Sequence, residues 1–361
     1  MQKRLTALDA FRGFTVAAMI MVNFPGNDEF VFHTLRHSKW NALSFTDHVA
    51  PFFLFIIGIS IHFAYSNKTS NEKPTLYKKI IWRALKIFLI GMFLNLMPTF
   101  DFSDIRWTGT LHRIAVVFLI CSIISLHTSW KQQLVIVITL ILAYWYIMMG
   151  IPYPNEGKVM LEPGKNIAAY IDSLYLPGKM WQVTWDPEGI LSIMPTCCTT
   201  LLGMIMGRII RSELSVNLKL NYFMLIGVGM AILGYFLGLS FPVNENIWSS
   251  SFVLVTGGFA CLVFASMYFI FDVLPYSKYS KIGVIFGVNA ISAYVLGDVL
   301  ALIFYSFNIG GNTLNMHFFN YFTSLGMIPE LTSWIYALLF VSIVSIPVSY
   351  THLTLPTNRE V

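Results

Sequence analysis

His37 and Asp47 stand ten residues apart in a polar stretch that also holds His33, Arg36, Lys39 and Asn41, set between two hydrophobic runs. A neutral imidazole can take a proton from an attacking amine or hydroxyl at neutral pH, or attack an activated acyl group itself. A carboxylate ten residues on can orient that ring if the loop folds back. Upstream lies Val22-Asn23-Phe24-Pro25-Gly26, which closes the first apolar run and opens this polar stretch. His37 and Asp47 are therefore the candidate catalytic pair. A plainer reading stands beside it, because Ser44-Phe45-Thr46-Asp47 also matches a helix capping box and His37 suits an interfacial loop.

Other polar residues within or beside apolar runs need a reason, since a charge at mid-membrane costs about 2.5–3.5 kcal/mol on insertion scales. Asp9 and Arg12, three apart, can pair on one helix face. Arg12, with Arg83 and Lys86, is a candidate holder of nucleotide phosphates, and snorkelling serves Arg83 and Lys86 equally well. Candidate acceptor contacts are Trp40, Asn41, His112, Arg113, Asp186, Glu188, Trp248 and Asn289. Asp186-Pro187-Glu188 also reads as a helix start, with Asp at the N-cap and Pro at the first helical position. Cys121, Cys197, Cys198 and Cys261 lie in apolar runs without metal-ligand or disulfide spacing, so no metal is expected.

The elements that must position these residues follow from composition. The chain has 361 residues, 56% hydrophobic and 11% charged, with mean hydropathy +0.66. That is an all-α polytopic membrane protein. A bilayer core takes about 20 apolar residues per helix. This predicts about ten transmembrane helices in one bundle, near 8–24, 48–66, 80–98, 110–127, 132–150, 189–209, 220–239, 247–271, 282–306 and 332–349. Residues 1–347 are expected to form a single domain. The first run lacks a cleavage site and reads as an uncleaved span. With the N-terminus inside, the inner segments hold twelve Lys and Arg and the outer ones six, which places both termini in the cytoplasm and His37 outside. The long loop at about 151–188 is then also outside. The net charge of +5 is scattered through short loops, which speaks against nucleic-acid binding. Residues 348–361 lose hydrophobicity without a basic stop and are expected to be a non-native tail.

Leu8-Asp9-Ala10-Phe11-Arg12-Gly13, Met21-Val22-Asn23-Phe24-Pro25-Gly26, His37-Ser38-Lys39-Trp40-Asn41 through Asp47, and Pro51-Phe52-Phe53-Leu54-Phe55 resemble the heparan-α-glucosaminide N-acetyltransferase family and its bacterial NagX-type relatives. Leu111-His112-Arg113-Ile114-Ala115, Phe241-Pro242 through Trp248-Ser249, and Phe286-Gly287-Val288-Asn289-Ala290 resemble later blocks of that family. The resemblance runs from about residue 4 to 346. It implies a membrane enzyme of the bacterial inner membrane that moves acetyl from cytoplasmic acetyl-CoA to a glucosamine-type amine or glycan on the far side. His37 would be the active-site histidine, as base or acyl carrier, and Asn23 the functional asparagine, joining His37 and Asp47 in the catalytic set as a donor to the oxyanion. Homodimer assembly is left open. The family's Trp-Asn-Gly is Trp40-Asn41-Ala42 here, which loosens the loop argument. The alternative is an amino-sugar transporter, since ten spans also suit alternating access. A missing inverted repeat and a polar cluster at a face rather than the midplane stand against it.

Overall fold

The computed structural model describes residues 5–66, 73–97, 99–154, 156–274 and 276–354, the last four without side-chain detail. Lys3, Arg4 and Lys68 of the expected charge pattern, and the expected tail beyond 354, lie outside the described residues. Among the described residues are thirteen α-helices: α1 Thr6–Asn23, α2 Val49–Tyr65, α3 Lys73–Leu96, α4 Thr110–His127, α5 Trp130–Gly150, α6 Ile167–Tyr175, α7 Ile193–Arg211, α8 Val216–Gly238, α9 Ser250–Tyr268, α10 Lys281–Val288, α11 Ala290–Ser306, α12 Leu314–Ser324 and α13 Pro329–Thr354. The only strands described are the two-residue pair Asn308–Ile309 and Asn312–Thr313. Long apolar runs become helices because in lipid only a helix satisfies every backbone N–H and C=O within one segment.

All ten expected spans fall on helices. Seven of the described helical segments are both long and apolar enough to cross a bilayer. The ninth span is a bent pair: α10 and α11 meet at 75°, where Asn289 leaves helical geometry at φ −114°, ψ 33°. The helices of the first and third spans, α1 and α3, are 18 and 24 residues long and carry the charges of Asp9, Arg12, Arg83 and Lys86. This is an all-α polytopic membrane protein.

The chain divides into two compact units, Met1–Ser38 with Ser44–Phe53 and Phe264–Val361, and Lys39–Leu43 with Leu54–Val263. In the first, α1 lies directly on α10. A Cβ at Gly13 would stand 1.7 Å from the Gly283 carbonyl oxygen, so only glycine lets the two backbones meet. The opening N–H groups of α1 are satisfied by Asp272, whose carboxylate accepts from Thr6 N at 3.0 Å and Ala7 N at 2.7 Å. At the other end of α1, the turn that follows is tied down by backbone. Gly26 N donates to Ser333 O at 3.2 Å, Asn315 Nδ2 donates to Gly26 O at 3.0 Å, and Tyr305 donates its hydroxyl to Pro25 O.

The second unit pairs α3 with α4 and α5 with α7. Its core includes Tyr144, Met148, Phe241 and Ile247, all buried, and Tyr144 donates its hydroxyl to Ile247 O. Ser129 and Gln132 start α5 with a full capping box, and Asn166 caps α6 by accepting from Ala169 N at 2.9 Å. The expected helix start at Asp186 is displaced. α7 begins at Ile193, and residues 186–192 form turns, because the Asp186 carboxylate is taken by an arginine rather than by a helix end.

Candidate functional site

His37 lies on the loop between α1 and α2, within the first unit. A short 3-10 turn, His33–Leu35, precedes it, and Arg36 braces the loop by donating from Nη2 to Glu29 O at 2.8 Å. The loop folds back as the spacing predicted: His37 Nδ1 is 3.0 Å from Asp47 Oδ1. The pair is asymmetric, with the His37 side chain 53% exposed and that of Asp47 fully buried. A buried, immobile carboxylate behind a solvent-facing imidazole is the arrangement of a positioned base or nucleophile.

Asp47 is also the capping residue. Its Oδ2 accepts from Ser44 N at 2.7 Å, while its own N–H lies 3.4 Å from Ser44 Oγ. Its Oδ1 takes Ser38 N at 3.3 Å besides His37. The two contacts therefore coexist, the cap on Oδ2 and His37 on Oδ1. His48, next in the chain, rests its Nδ1 2.8 Å from Ser44 O and its ring edge on Phe52. Asn23 is the last residue of α1 and is exposed. Its side chain makes no hydrogen bond to the His37–Asp47 pair.

The other sequence candidates of the first unit sit apart from this pair. Arg12 Nη1 donates to Gly287 O at 3.2 Å and lies 3.5 Å from Asp9, so the Asp9–Arg12 pair forms on α1. Asn289 stands at the α10–α11 bend with a buried Nδ2 that has no hydrogen-bond partner.

In the second unit, Trp40 donates from Nε1 to Leu161 O at 2.6 Å and meets Trp185 edge to face, and Asn41 accepts from Asn244 Nδ2 at 3.0 Å. Asp186 and Glu188 share one partner that the sequence did not single out. Arg106 grips Asp186 through Nε at 2.8 Å and Nη2 at 2.6 Å, and Glu188 through Nη2 at 2.5 Å. Thr108 Oγ1, Trp181 N and Glu188 N complete the shell of Asp186. Burial would raise this carboxyl, but the Arg106 bonds and charge outweigh it and hold Asp186 below the usual range. By the same balance, burial is outweighed for Arg106 and its pKa rises.

Nearby, Asp172 on α6 is a buried carboxyl that sequence reasoning passed over. It takes Ile190 N at 2.8 Å, and burial pushes its pKa up to about 7. A Cβ at Gly189 would come within 1.9 Å of Asp172 Oδ2, so the turn passes over the carboxyl only as glycine. Arg106 and Asp172 carried one weak signal in the sequence: each is a charge in a chain that has few.

Arg113 is buried on α4. Nη2 donates to Pro187 O and to Ser192 Oγ at 3.0 Å, and the guanidinium lies over the Trp248 ring at 4.5 Å. Trp248 is 1% exposed and donates from Nε1 to Thr199 Oγ1 at 3.2 Å. His112 is buried against Phe88, with its Nε2 lacking a partner. Arg83 lies over the Phe118 ring at 5.1 Å and Lys86 over Trp82 at 5.4 Å, both exposed on α3.

Comparison with known proteins agrees with the blocks in the sequence. The sequence model of a family described as heparan-alpha-glucosaminide N-acetyltransferase, catalytic, matches residues 4–234. The heparan-alpha-glucosaminide N-acetyltransferase of Mus musculus is 26% identical over 365 residues, covering 82% of this chain and 54% of the relative. The Homo sapiens protein of the same name is 26% identical over 331 residues, covering 75% and 49%. The chain spans about half the length of these curated relatives.

Proposed function

Because this chain belongs to the heparan-alpha-glucosaminide N-acetyltransferase catalytic family, we propose that it is a membrane-bound acetyltransferase that moves acetyl from cytoplasmic acetyl-CoA to the amine of a glucosamine-type sugar on the opposite side. The observation that carries the reading is the exposed His37 held at 3.0 Å by the fully buried Asp47.

With the proton on Nδ1 directed at Asp47, the imidazole lone pair is on Nε2. In direct transfer, Nε2 takes a proton from the sugar amine as its nitrogen bonds to the acetyl carbonyl carbon. The C–S bond then breaks and CoA leaves as a thiolate that is protonated in turn. In the carrier route, Nε2 itself displaces the CoA thiolate, and the amine then attacks the acetyl-imidazole, restoring His37. Both routes pass through an oxyanion to which the Asn23 amide can donate. A protonated amine cannot attack, so either route needs a base at the site.

Arg12, Arg83 and Lys86 serve the CoA phosphates in this reading, and Trp40, Asn41, His112, Arg113 and Asn289 serve the acceptor. Asp186 and Glu188 bind Arg106 and Trp248 lies against Arg113, so in this reading these three act by holding arginines in place. The protein would lie in a bacterial inner membrane with both termini cytoplasmic.

The test is thiol release from acetyl-CoA by purified protein in detergent, with glucosamine or N-acetylglucosamine as acceptor. Release that needs the free amine and yields N-acetylglucosamine supports the reading. Uptake of labelled sugar into vesicles without acetyl-CoA, and no thiol release, would replace it with transport.

A further inference from the structure

Asn41 follows His37 by four residues and stands exposed on a loop segment of the second unit. Its neighbours hold it in place. Trp40 donates from Nε1 to Leu161 O at 2.6 Å and packs edge to face on Trp185, and Ala42 donates its N–H to Trp40 O at 3.1 Å. The Asn41 side chain accepts one bond through Oδ1, from Asn244 Nδ2 at 3.0 Å. Its own Nδ2 makes no hydrogen bond among the described residues.

Which way the Asn41 amide faces is decided at Asn244, which is fully buried in the turn before α9. The Asn244 N–H donates to Ser249 Oγ at 3.1 Å, and its backbone O accepts from Ser249 N at 3.0 Å. Its side-chain Oδ1 accepts from Ile247 N at 3.3 Å. A backbone N–H can only donate, so it selects the oxygen of the Asn244 amide and leaves the Nδ2 group toward Asn41. That group selects the Asn41 oxygen in turn, and the Asn41 Nδ2 is left facing outward. Reversing the Asn41 amide alone would set donor against donor, and reversing both would set Asn244 Nδ2 against the Ile247 N–H. A clamp on the loop needs only one bond between the two side chains, in either sense; the Ile247 N–H fixes the sense.

We propose that Asn244 is a specificity-determining residue: by holding Asn41 through its oxygen, it makes the loop present a hydrogen-bond donor that binds a hydroxyl oxygen of the acceptor sugar. The donor is set before the sugar arrives, so no side-chain order is lost at that amide on binding. A site built to bond a substrate hydroxyl rejects the analogue that lacks it, because its own polar group is then left unpaired. The inference rests on the acetyltransferase reading for its ligand class and for Asn41 as an acceptor contact. It adds Asn244, which lies beyond the matched segment 4–234.

The full chain in detergent is given glucosamine and its deoxy and deoxyfluoro analogues, altered at each hydroxyl in turn. Binding is read by calorimetry without acetyl-CoA, and KM and kcat for acetylation are read separately. Fluorine accepts a hydrogen bond weakly and cannot donate one, so the order of fluoro against deoxy reports which group the protein presents. In wild type, loss of one hydroxyl should cost roughly tenfold in affinity and KM with kcat within about threefold, and the fluoro analogue should bind better than the deoxy. Asn244→Asp keeps one oxygen for Ile247 N and turns the other to Asn41, whose amide reverses to donate inward and face its carbonyl outward. There the deoxy analogue should bind better than the fluoro. Asn41→Asp, at an exposed position, keeps the bond from Asn244 and also faces an oxygen outward, so it should show the same reversal without a change in the buried turn. Asn41→Ala should abolish the discrimination.

A fluoro-over-deoxy order that survives in both aspartate variants would overturn the inference and leave Asn244 a purely structural clamp. A wild type that loses less than about threefold at every hydroxyl would overturn it too. In either case acetyl transfer by wild type leaves the acetyltransferase reading standing. The reversal, read by calorimetry in a protein that transfers no acetyl, would keep the donor site and reject the acetyltransferase. A wild type that binds and acetylates no amino sugar would overturn both.

Discussion

Asp47 divides its two oxygens between two tasks, capping the turn into α2 with one and holding His37 with the other. The carboxylate is fully buried, so it can act on the reaction only through the ring it orients. Asp47→Asn should therefore lower kcat roughly 100-fold while leaving the KM for glucosamine within about threefold. Steady-state kinetics on the folded variant check this, and a KM effect without a kcat effect would contradict it. The sequence disclosed this pair because ten residues of loop can close on themselves. It did not disclose that one carboxylate would make both contacts, because a capping box and a His–Asp pair ask for the same residue type.

At the scale of elements, the loop between α5 and α7 is held by Arg106, which pairs in fork geometry with Asp186 and also reaches Glu188. Removing one partner of a buried pair leaves an uncompensated charge at a cost of roughly 3–5 kcal/mol. Arg106→Met should lower the thermal midpoint markedly, and Arg106→Lys should restore only part of it, since an ammonium cannot make the fork. A midpoint unchanged in Arg106→Met would contradict this.

Asp172 gives the same region a pH dependence. Burial pushes its carboxyl up to about 7 in the folded chain, whereas an exposed Asp in the unfolded chain stays near the ordinary carboxylate value of about 4. Between those values the folded state keeps a proton that the unfolded state has lost. Its contribution to stability is thus complete below about pH 4 and is lost as pH rises through 7. Thermal unfolding should show wild type losing stability from pH 5 to 8 more than Asp172→Asn does, and parallel profiles would contradict it. None of this was legible beforehand. Asp186-Pro187-Glu188 carries a helix-start pattern, and the pattern lost because Arg106, eighty residues upstream, is not part of any local signal.

At the scale of the whole molecule, the spans were legible because apolar length is a local property and the bilayer leaves the backbone one solution. The break at Asn289 was not, because a polar residue within a long apolar run reads equally as a site or as a bend. The π-helical turn Phe269–Val273 that carries Asp272 to the start of α1 was equally hidden, since its partner lies 265 residues away. Orientation is testable directly, because all four native cysteines are buried. A cysteine at exposed Lys158 should react with a membrane-impermeant maleimide in intact spheroplasts, and one at exposed Glu213 only after permeabilisation. The reverse pattern would place His37 on the cytoplasmic side.

In the proposed reaction acetyl transfer depends on His37. Transfer of labelled acetyl from acetyl-CoA to glucosamine, comparing purified wild type with His37→Ala of matched thermal midpoint, tests it most directly. Wild type should yield N-acetylglucosamine, and the variant should lose roughly 100-fold or more of that transfer. Equal transfer by both proteins would contradict it.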